Sequence, residues 1–365
     1  MNTEKLQFFA EALAEICAHS LVAQGRPLRW LVIANPTAGG FTMRSRWKKC
    51  RQTLEGYRQA ARANPQRQDC APAMTAAFAG CVPTERPGSA VEITRALVNM
   101  AASATPFYVL ITAGGDGTSL EVLSVLYDAP AAVRARIAVL RLPMGTGNDG
   151  ADSPSLARAL DRLIQPSRVE YAPALRLIPA QGGEAASHGP YLAFNILSVG
   201  LDAFVTHMTN KMKGKLPGDF YKLWVDIASL LYDRLYTVDF LDVRALDAHG
   251  KEVRAFREKI LLLAVGASGH RTYGSQKKIL PDGRNVCALK QMPLLRKLAL
   301  KGLFSTGAHI DKPESILFNA HRVEISGSHP MLAQMDGETV LLRREDFPAA
   351  IELTEPVIPV LKLVQ

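Results

Sequence analysis

The stretch "ITAGGDGTSLEVL", Ile111 to Leu123, is an apolar strand-like run that breaks into Gly-Gly-Asp-Gly-Thr before a helical pattern resumes. Three glycines around one carboxylate raise the entropic cost of ordering the loop, which points to something the loop is shaped to hold. Gly114, Gly115 and Gly117 can take positive φ and let backbone N–H groups approach a phosphate chain. A helix opening near Thr118 would set its positive end against the same phosphates. Thr118 and Glu121 fit the capping-box spacing, which makes Glu121 a cap rather than a catalyst. Asp116 does not suit a simple phosphate cradle, because phosphate repels it unless a cation or a proton to be moved lies between them. Mg²⁺ coordination or orientation of an accepting hydroxyl would answer this. So would a tight turn in which Asp116 caps a neighbouring N–H.

Outward from this loop, the first half alternates short apolar runs with helical patterns: "LRWLVIA" (28–34), "AAFAGCV" (76–82), "FYVLIT" (107–112) and "RIAVLRL" (136–142). Such alternation predicts a parallel sheet covered by helices, with ligands bound beyond the carboxyl ends of the strands. Three of these runs end in unusual loops, "NPTAGG" (35–40), "GGDGT" (114–118) and "PMGTGND" (143–149). The last repeats the device of the second, with Gly145 and Gly147 around Thr146 and an acid, Asp149, after Asn148. Two glycine loops, each with an Asp, at one sheet edge predict a magnesium nucleotide site. The absence of G-x-x-x-x-G-K-[ST] excludes a P-loop ATPase, and no G-x-G-x-x-G follows the first strand.

Ser153 and Pro154 predict the start of a helix that ends at Pro166. From about Val169 alternating runs and turns take over, including one at His249-Gly250, and predict a second, mainly β domain. Within it 179–190 reads as a polar loop without structure of its own. The expected division is an N-terminal helix (1–27), an α/β nucleotide domain (28–167) to which 341–365 returns, and a β domain (168–340).

The chain has 365 residues, is 48% hydrophobic and carries a net charge of +9. A sizeable core and phosphate-bearing partners follow: nucleotides, nucleic acid or anionic lipid. Five scattered cysteines without C-x-x-C spacing suit a reducing compartment and argue against structural zinc. No apolar run reaches the roughly 20 residues that a membrane helix needs. Glu4, Glu11 and Glu15 are foreign to a secretory signal, so the N-terminus reads as a cytoplasmic helix. Its stripe of Leu6, Phe9, Leu13 and Ile16 would pack on the protein body or a second subunit, or dock on a membrane.

In order, "NPTAGG", "GGDGTSLEVLSVL" (114–126), "PMGTGND", "GLDAFV" (200–205) and "MDGE" (335–338) resemble the diacylglycerol kinase catalytic-domain family, which includes bacterial lipid kinases and is related to sphingosine and ceramide kinases. The resemblance implies an α/β nucleotide domain, similar to those of NAD kinases and phosphofructokinases, joined to a C-terminal β-sandwich, with ATP in the cleft between them. It implies nucleotide contacts from Asn35, Pro36, Thr37, Gly39, Thr84 in "CVPTERPG", Gly114, Gly115, Gly117, Thr118, Gly145, Thr146 and Asn148. Asp116 and Asp149 match acids tied to Mg-ATP, and Glu338 matches the proton acceptor. Without the family, Glu338 reads as an exposed turn acid. Sphingosine kinases usually lack the acid found here as Asp149, which favours a diacylglycerol-like acceptor.

One departure concerns a turn that in the family holds a structural Mg²⁺. Here it is compressed to "YGSQKKILPDGRNV" (273–286) with a single Asp282 and a nearby Arg284, so Asp282 reads as a metal ligand by resemblance and as an ordinary turn residue by composition. A lipid kinase without a membrane span must visit the bilayer. The basic, apolar-laced stretches 210–224 and 294–304 are the expected docking surface, and 44–51 reads as a helix face behind ATP. The expected partners are therefore ATP, Mg²⁺ and a membrane lipid, with no nucleic acid and with homodimerisation left open. A soluble-acceptor kinase resembling NAD kinases and a catalytically inactive lipid or nucleotide sensor are the competing readings.

Overall fold

Four apolar runs form the parallel part of one sheet: β1 (Leu28–Ala34), β2 (Ala77–Pro83), β3 (Phe107–Gly114) and β4 (Ile137–Pro143). Every position of β3 is buried, as a central strand covered on both faces requires. The computed structural model describes residues 3–20, 22, 27–63, 77–103, 106–145, 147–189, 191–212, 232, 238–274 and 277–364. The chain divides into two units, Met1–Ala172 with Pro356–Gln365, and Pro173–Glu355.

In the first unit, α1 (Thr3–Ala18) buries Phe9, Leu13 and Ile16 completely, in one cluster with Trp30, Phe41 and Leu54. Phe9 meets Phe41 edge-on, with ring centroids 5.1 Å apart. The apolar stripe read from the sequence thus packs on its own unit. After α2 (Gly39–Thr42), the helix α3 (Arg44–Arg62) lies against α1, where Phe8 packs on Trp47. Glu15 of α1 accepts hydrogen bonds from Arg62 and Arg58, and these hold its carboxyl below the usual carboxylate range. The unit continues through α4 (Ser89–Ser103), α5 (Asp116–Asp128), α6 (Ala131–Arg134), α7 (Leu156–Ile164) and β5 (Ser167–Ala172). The N-cap of α7 is Ser155, whose side chain accepts from the Arg158 N–H, two residues beyond the expected Ser153.

The second unit contains β6 (Leu175–Ile178), β7 (Tyr191–Ala193), β8 (Ile196–Gly200), α8 (Leu201–Met212), β9 (Phe240–Leu246), β10 (Glu252–Gly266), β11 (Arg271–Tyr273), β12 (Lys277–Leu280), β13 (Val286–Lys290), α9 (Leu294–Leu303), β14 (Ser315–Phe318), β15 (Arg322–Gly327), β16 (Met331–Met335), β17 (Glu338–Leu342) and β18 (Ala349–Leu353). The expected sandwich is one curled antiparallel sheet, in the order β17-β16-β8-β10-β9-β15-β18-β6-β7, with β13 and β14 branching from β10. The long β10 makes this arrangement by pairing with β9 over 252–259 and with β8 and β13 over 260–266. The 179–190 segment is less shapeless than its composition suggests. Ala185–His188 form a 3₁₀ turn, and the Ala185 N–H donates to the buried Asp346 carboxylate at 2.9 Å.

The chain then returns to the first unit as β19 (Ile358–Leu363), which lies between β4, its parallel neighbour, and β5, its antiparallel one. Only Pro356–Gln365 make this return. Residues 341–355, expected to go with them, stay in the second unit because β18 pairs with β15 and β6. The first unit likewise extends to Ala172 rather than to residue 167, because β5 pairs with β19 along its whole length. Among the described residues, no helix is long and apolar enough to cross a membrane.

Candidate active site

Because β1, β3 and β4 are parallel neighbours, the loops that follow them leave one sheet edge. Backbone bonds tie them together: the Asn35 N–H donates to Ala113 O at 2.9 Å, and the Gly40 N–H to Met144 O at 2.7 Å. Asn35 organises the first loop through its side chain. Its Oδ1 accepts from the Thr37 N–H (3.0 Å) and Thr37 Oγ1 (2.7 Å), while its Nδ2 donates to Thr118 Oγ1 at 3.4 Å. Pro36 lies inside this turn, and Gly39 and Gly40 are buried at the start of α2. Thr84 follows β2 and donates its N–H to Ala34 O at 2.8 Å.

Gly114 and Gly145 are needed for space rather than for positive φ, which none of Gly114, Gly115 and Gly117 adopts. A Cβ at Gly114 would stand 2.5 Å from Thr118 Oγ1, and one at Gly145 would stand 2.5 Å from Gly115 Cα. The two loops therefore touch backbone to backbone. The left-handed residue is instead Asn148, with φ of 60°. Thr146 lies outside the described residues.

Helix α5 begins at Asp116, two residues before the position read from the sequence, and its N-cap Gly115 supplies no side-chain cap. Glu121 is a cap, but for another element: its carboxylate accepts from the Gly88 N–H (2.9 Å) and the Ala90 N–H (3.1 Å) where α4 begins. Asp116 Oδ1 accepts from the Gly150 N–H at 2.8 Å, which ties the first turn of α5 to the second glycine loop. A Cβ at Gly147 would lie 3.2 Å from Asp116 Oδ2 and 3.1 Å from Asp149 Oδ2. The two carboxylates thus converge on one glycine beside a helix N-terminus.

This donor set fits a nucleoside triphosphate with its divalent cation. Mg²⁺ is commonly held by one or two carboxylates, with phosphate and water filling the remaining positions. Asp116 and Asp149 would supply the carboxylates, and the α5 N-terminus would face a phosphate with the favourable end of its dipole. Arg46 also reaches the site, donating from Nη1 to Gly145 O at 2.8 Å. The sequence alone makes it part of the exposed helix face 44–51, and its position a few residues after the first glycine loop is the one local signal for this contact.

The turn at Asp282 does not fit a metal. Its carboxylate accepts from the Arg284 N–H at 2.9 Å and from that guanidinium at 2.5 to 3.1 Å, bonds that hold the Asp282 carboxyl below the usual range. An arginine occupies the coordination that a cation would need, so the residue is an ion-paired turn acid. Among the described residues, no group of three or more His, Cys, Asp or Glu is arranged to hold a metal ion.

Glu338 belongs to the second unit and is the exposed first residue of β17. The preceding turn is left-handed at Asp336 (φ 47°) and Gly337 (φ 107°). The Asp336 carboxylate accepts from the backbone N–H groups of Phe194, Asn195 and Ile196 at 2.5 to 3.1 Å. The Gly337 N–H donates to Gln334 Oε1 at 3.1 Å, and Gly337 O accepts from Asn210 Nδ2 at 2.7 Å. Asp336 and Asn210 carried no role in the sequence reading, although the Asp-Gly pair between two strands marks the turn. In "GLDAFV", the buried Asp202 accepts from Ser198 Oγ at 2.5 Å and Gln334 Nε2 at 3.3 Å.

The second unit also holds a mainly apolar cavity of about 170 Å³, walled by Val205, Leu261, Ile279, Leu289, Leu300 and Phe304. Lys277 and Lys301 line it as well and are exposed, so they stand where it meets solvent.

The first unit is thus an α/β domain with two touching glycine loops and paired carboxylates at one sheet edge, and the second is an antiparallel β unit. Residues 29–170 match the family model of the diacylglycerol kinase catalytic domain. The chain is 26% identical over 254 residues, 68% of its length, to a protein named "Probable lipid kinase YegS-like" from Pectobacterium atrosepticum, covering 78% of that protein. A protein of the same name from Enterobacter sp. (strain 638) is 26% identical over 63% of this chain and 71% of its own length. Two solved structures from Bacillus anthracis str. Sterne share the fold. One, of a diacylglycerol kinase, has a TM-score of 0.50 at 15% identity and covers 91% of this chain and 96% of its own. The second has a TM-score of 0.55 at 17% identity and covers 91% and 94%.

Proposed function

We propose that the protein transfers the γ-phosphoryl group of ATP, with Mg²⁺, to the hydroxyl of diacylglycerol or a related membrane lipid at the cytoplasmic face of a membrane. The observation that carries this reading is the convergence of Asp116 and Asp149 on Gly147 beside the α5 N-terminus. Phosphoryl transfer has a loose transition state, so the protein chiefly positions groups and balances charge. Asn35, Pro36, Thr37, Gly39 and Thr84 would border the nucleotide, with Gly114, Gly115, Gly117, Thr118, Gly145, Thr146 and Asn148 forming the two phosphate loops. Asp116 and Asp149 would hold Mg²⁺, which when bound neutralises phosphate charge. Glu338 would take the proton of the acceptor hydroxyl as its oxygen bonds to phosphorus and the bond to the ADP oxygen breaks. The apolar cavity favours a lipid acceptor, because it offers an acyl chain a dry wall and a cationic entrance.

Purified protein, radiolabelled ATP, a panel of lipids and a panel of water-soluble acceptors test the proposal. Labelled product should partition into the organic phase, and Asp116→Asn should abolish it. Label confined to water-soluble products, or undiminished turnover by Asp116→Asn, would overturn it.

A further inference from the structure

Helix α9 carries leucines on a face left exposed among the described residues. Leu294, Leu295 and Leu298 are 40%, 81% and 46% exposed, and their i, i+1, i+4 spacing places them together. Single exposed leucines are ordinary on a protein surface, but three within five residues are not. The opposite face is buried at Lys297 and Leu300 and, with Lys301 and Phe304, walls the apolar cavity.

The charge that the helix itself carries beside the leucines is of one sign. The helix contains no acidic residue, and its Arg296 is ion-paired with Glu314 at 2.6 Å. At its far end the Lys278 N–H donates to Phe304 O at 2.8 Å, which brings the exposed Lys277 and Lys278 of β12 up to the exposed Lys301.

We propose that α9 seats the protein on an anionic bilayer, its three leucines entering the acyl layer and Lys277, Lys278 and Lys301 meeting anionic headgroups. Apolar side chains next to cations of one sign match such a surface. The inner face of the same helix lines the cavity, so α9 has the bilayer on one side and the acyl site on the other. A lipid then passes around one helix to leave the membrane, without crossing water. The inference rests on the lipid-kinase reading for its purpose but not for its test.

The test uses the whole chain and vesicles of phosphatidylcholine, alone or mixed with phosphatidylglycerol. The parent protein should co-sediment with the mixed vesicles and much less with the neutral ones, and high salt should release it. Leu295→Asp combined with Leu298→Asp, both at exposed positions outside the cavity, should weaken co-sedimentation by roughly tenfold or more. The same variant should still turn over a short-chain acceptor dispersed in water, while losing turnover of vesicle-borne lipid. Parent-like co-sedimentation of this variant would overturn the inference. So would a parent that is dimeric without vesicles and a variant that is monomeric, because a second copy would then cover the leucines. A parent that binds vesicles through these leucines yet phosphorylates neither acceptor would support the docking face and overturn only the kinase reading.

Discussion

At Gly147 a single hydrogen stands where a methyl group would press on two carboxylates. A methyl there would lie 3.1 and 3.2 Å from the Asp149 and Asp116 oxygens, side-chain ends that can give way, whereas at Gly145 it would lie 2.5 Å from Gly115 backbone. Gly147→Ala should therefore leave stability within about 1 kcal/mol of the parent and weaken Mg-ATP binding roughly tenfold, since it spreads the acids. Gly145→Ala should cost about 1–3 kcal/mol in urea unfolding as well as binding, because backbone must move. Calorimetric titration beside urea melts would separate the two. Across the chain, Asn210 and Asp336 fix the turn that carries Glu338, which under the proposed function would make them positioning residues. If Glu338 accepts the proton, Glu338→Gln should lower kcat by roughly 10²- to 10⁴-fold. Asn210→Ala should lower kcat about tenfold at unchanged KM for ATP and add nothing to Glu338→Gln; fully additive losses would refute the positioning role. The glycine loops could be read from sequence because glycine and aspartate are concentrated there. Arg46 and Asp336 leave only a local hint and Asn210 none, because they act on backbone atoms 99, 140 and 127 residues away.

Element boundaries follow from hydrogen-bond supply, and this is where sequence and structure part. Thr118-x-x-Glu121 has the spacing of a capping box, yet Glu121 serves α4, where two backbone N–H groups await an acceptor. Ser153 has the right chemistry for a cap but is displaced by Ser155, because the residue before it is tied to β4: the Asp152 carboxylate is buried against Arg141 of that strand. Asp152 Oδ2 accepts from the Arg141 N–H at 2.6 Å, and Oδ1 accepts from the guanidinium at 2.9 Å. Burial alone would raise the Asp152 carboxyl pKa, but the charge and hydrogen bonds of Arg141 outweigh it and the net shift is downward. A carboxyl whose folded pKa lies below its unfolded value of about 3.9 contributes stability above that pH and loses it as the pH falls through the folded pKa. Asp152→Asn should accordingly destabilise the first unit by about 3–5 kcal/mol at neutral pH, since it strands a buried guanidinium. Urea unfolding at pH 7 and pH 3 should show that gap narrow on acidification. A gap that widened in acid would contradict the pairing.

The first unit is not a continuous piece of chain, and its sheet needs both ends of the sequence. The alternation of 28–142 announces four parallel strands, since β3 and its neighbours read as unbroken apolar runs. No local pattern tells which of the last strands comes back, because β18 and β19 are both short and apolar. Their partners decide it: β18 finds β15 and β6, while β19 pairs from Ile358 to Leu363 with Ala172 to Ser167. The β19–β5 pairings join residues 186 to 196 positions apart and leave no trace in composition. The energetic weight of the return can be judged from burial, because Ile358, Val360 and Leu361 are all 3% exposed or less. Each such side chain contributes about 1.5–3 kcal/mol, so removing three approaches the whole stability of an ordinary domain, about 5–15 kcal/mol. Loss of the strand would also leave β4 and β5 with open edges. Truncation after Glu355 should therefore unfold the first unit and abolish ATP binding. Hydrogen exchange read by mass spectrometry should show protection lost over 107–114 and 137–143 but kept over 240–246 and 252–266. Retained protection in β3 and β4 of the truncated chain would show that the sheet closes without its last strand.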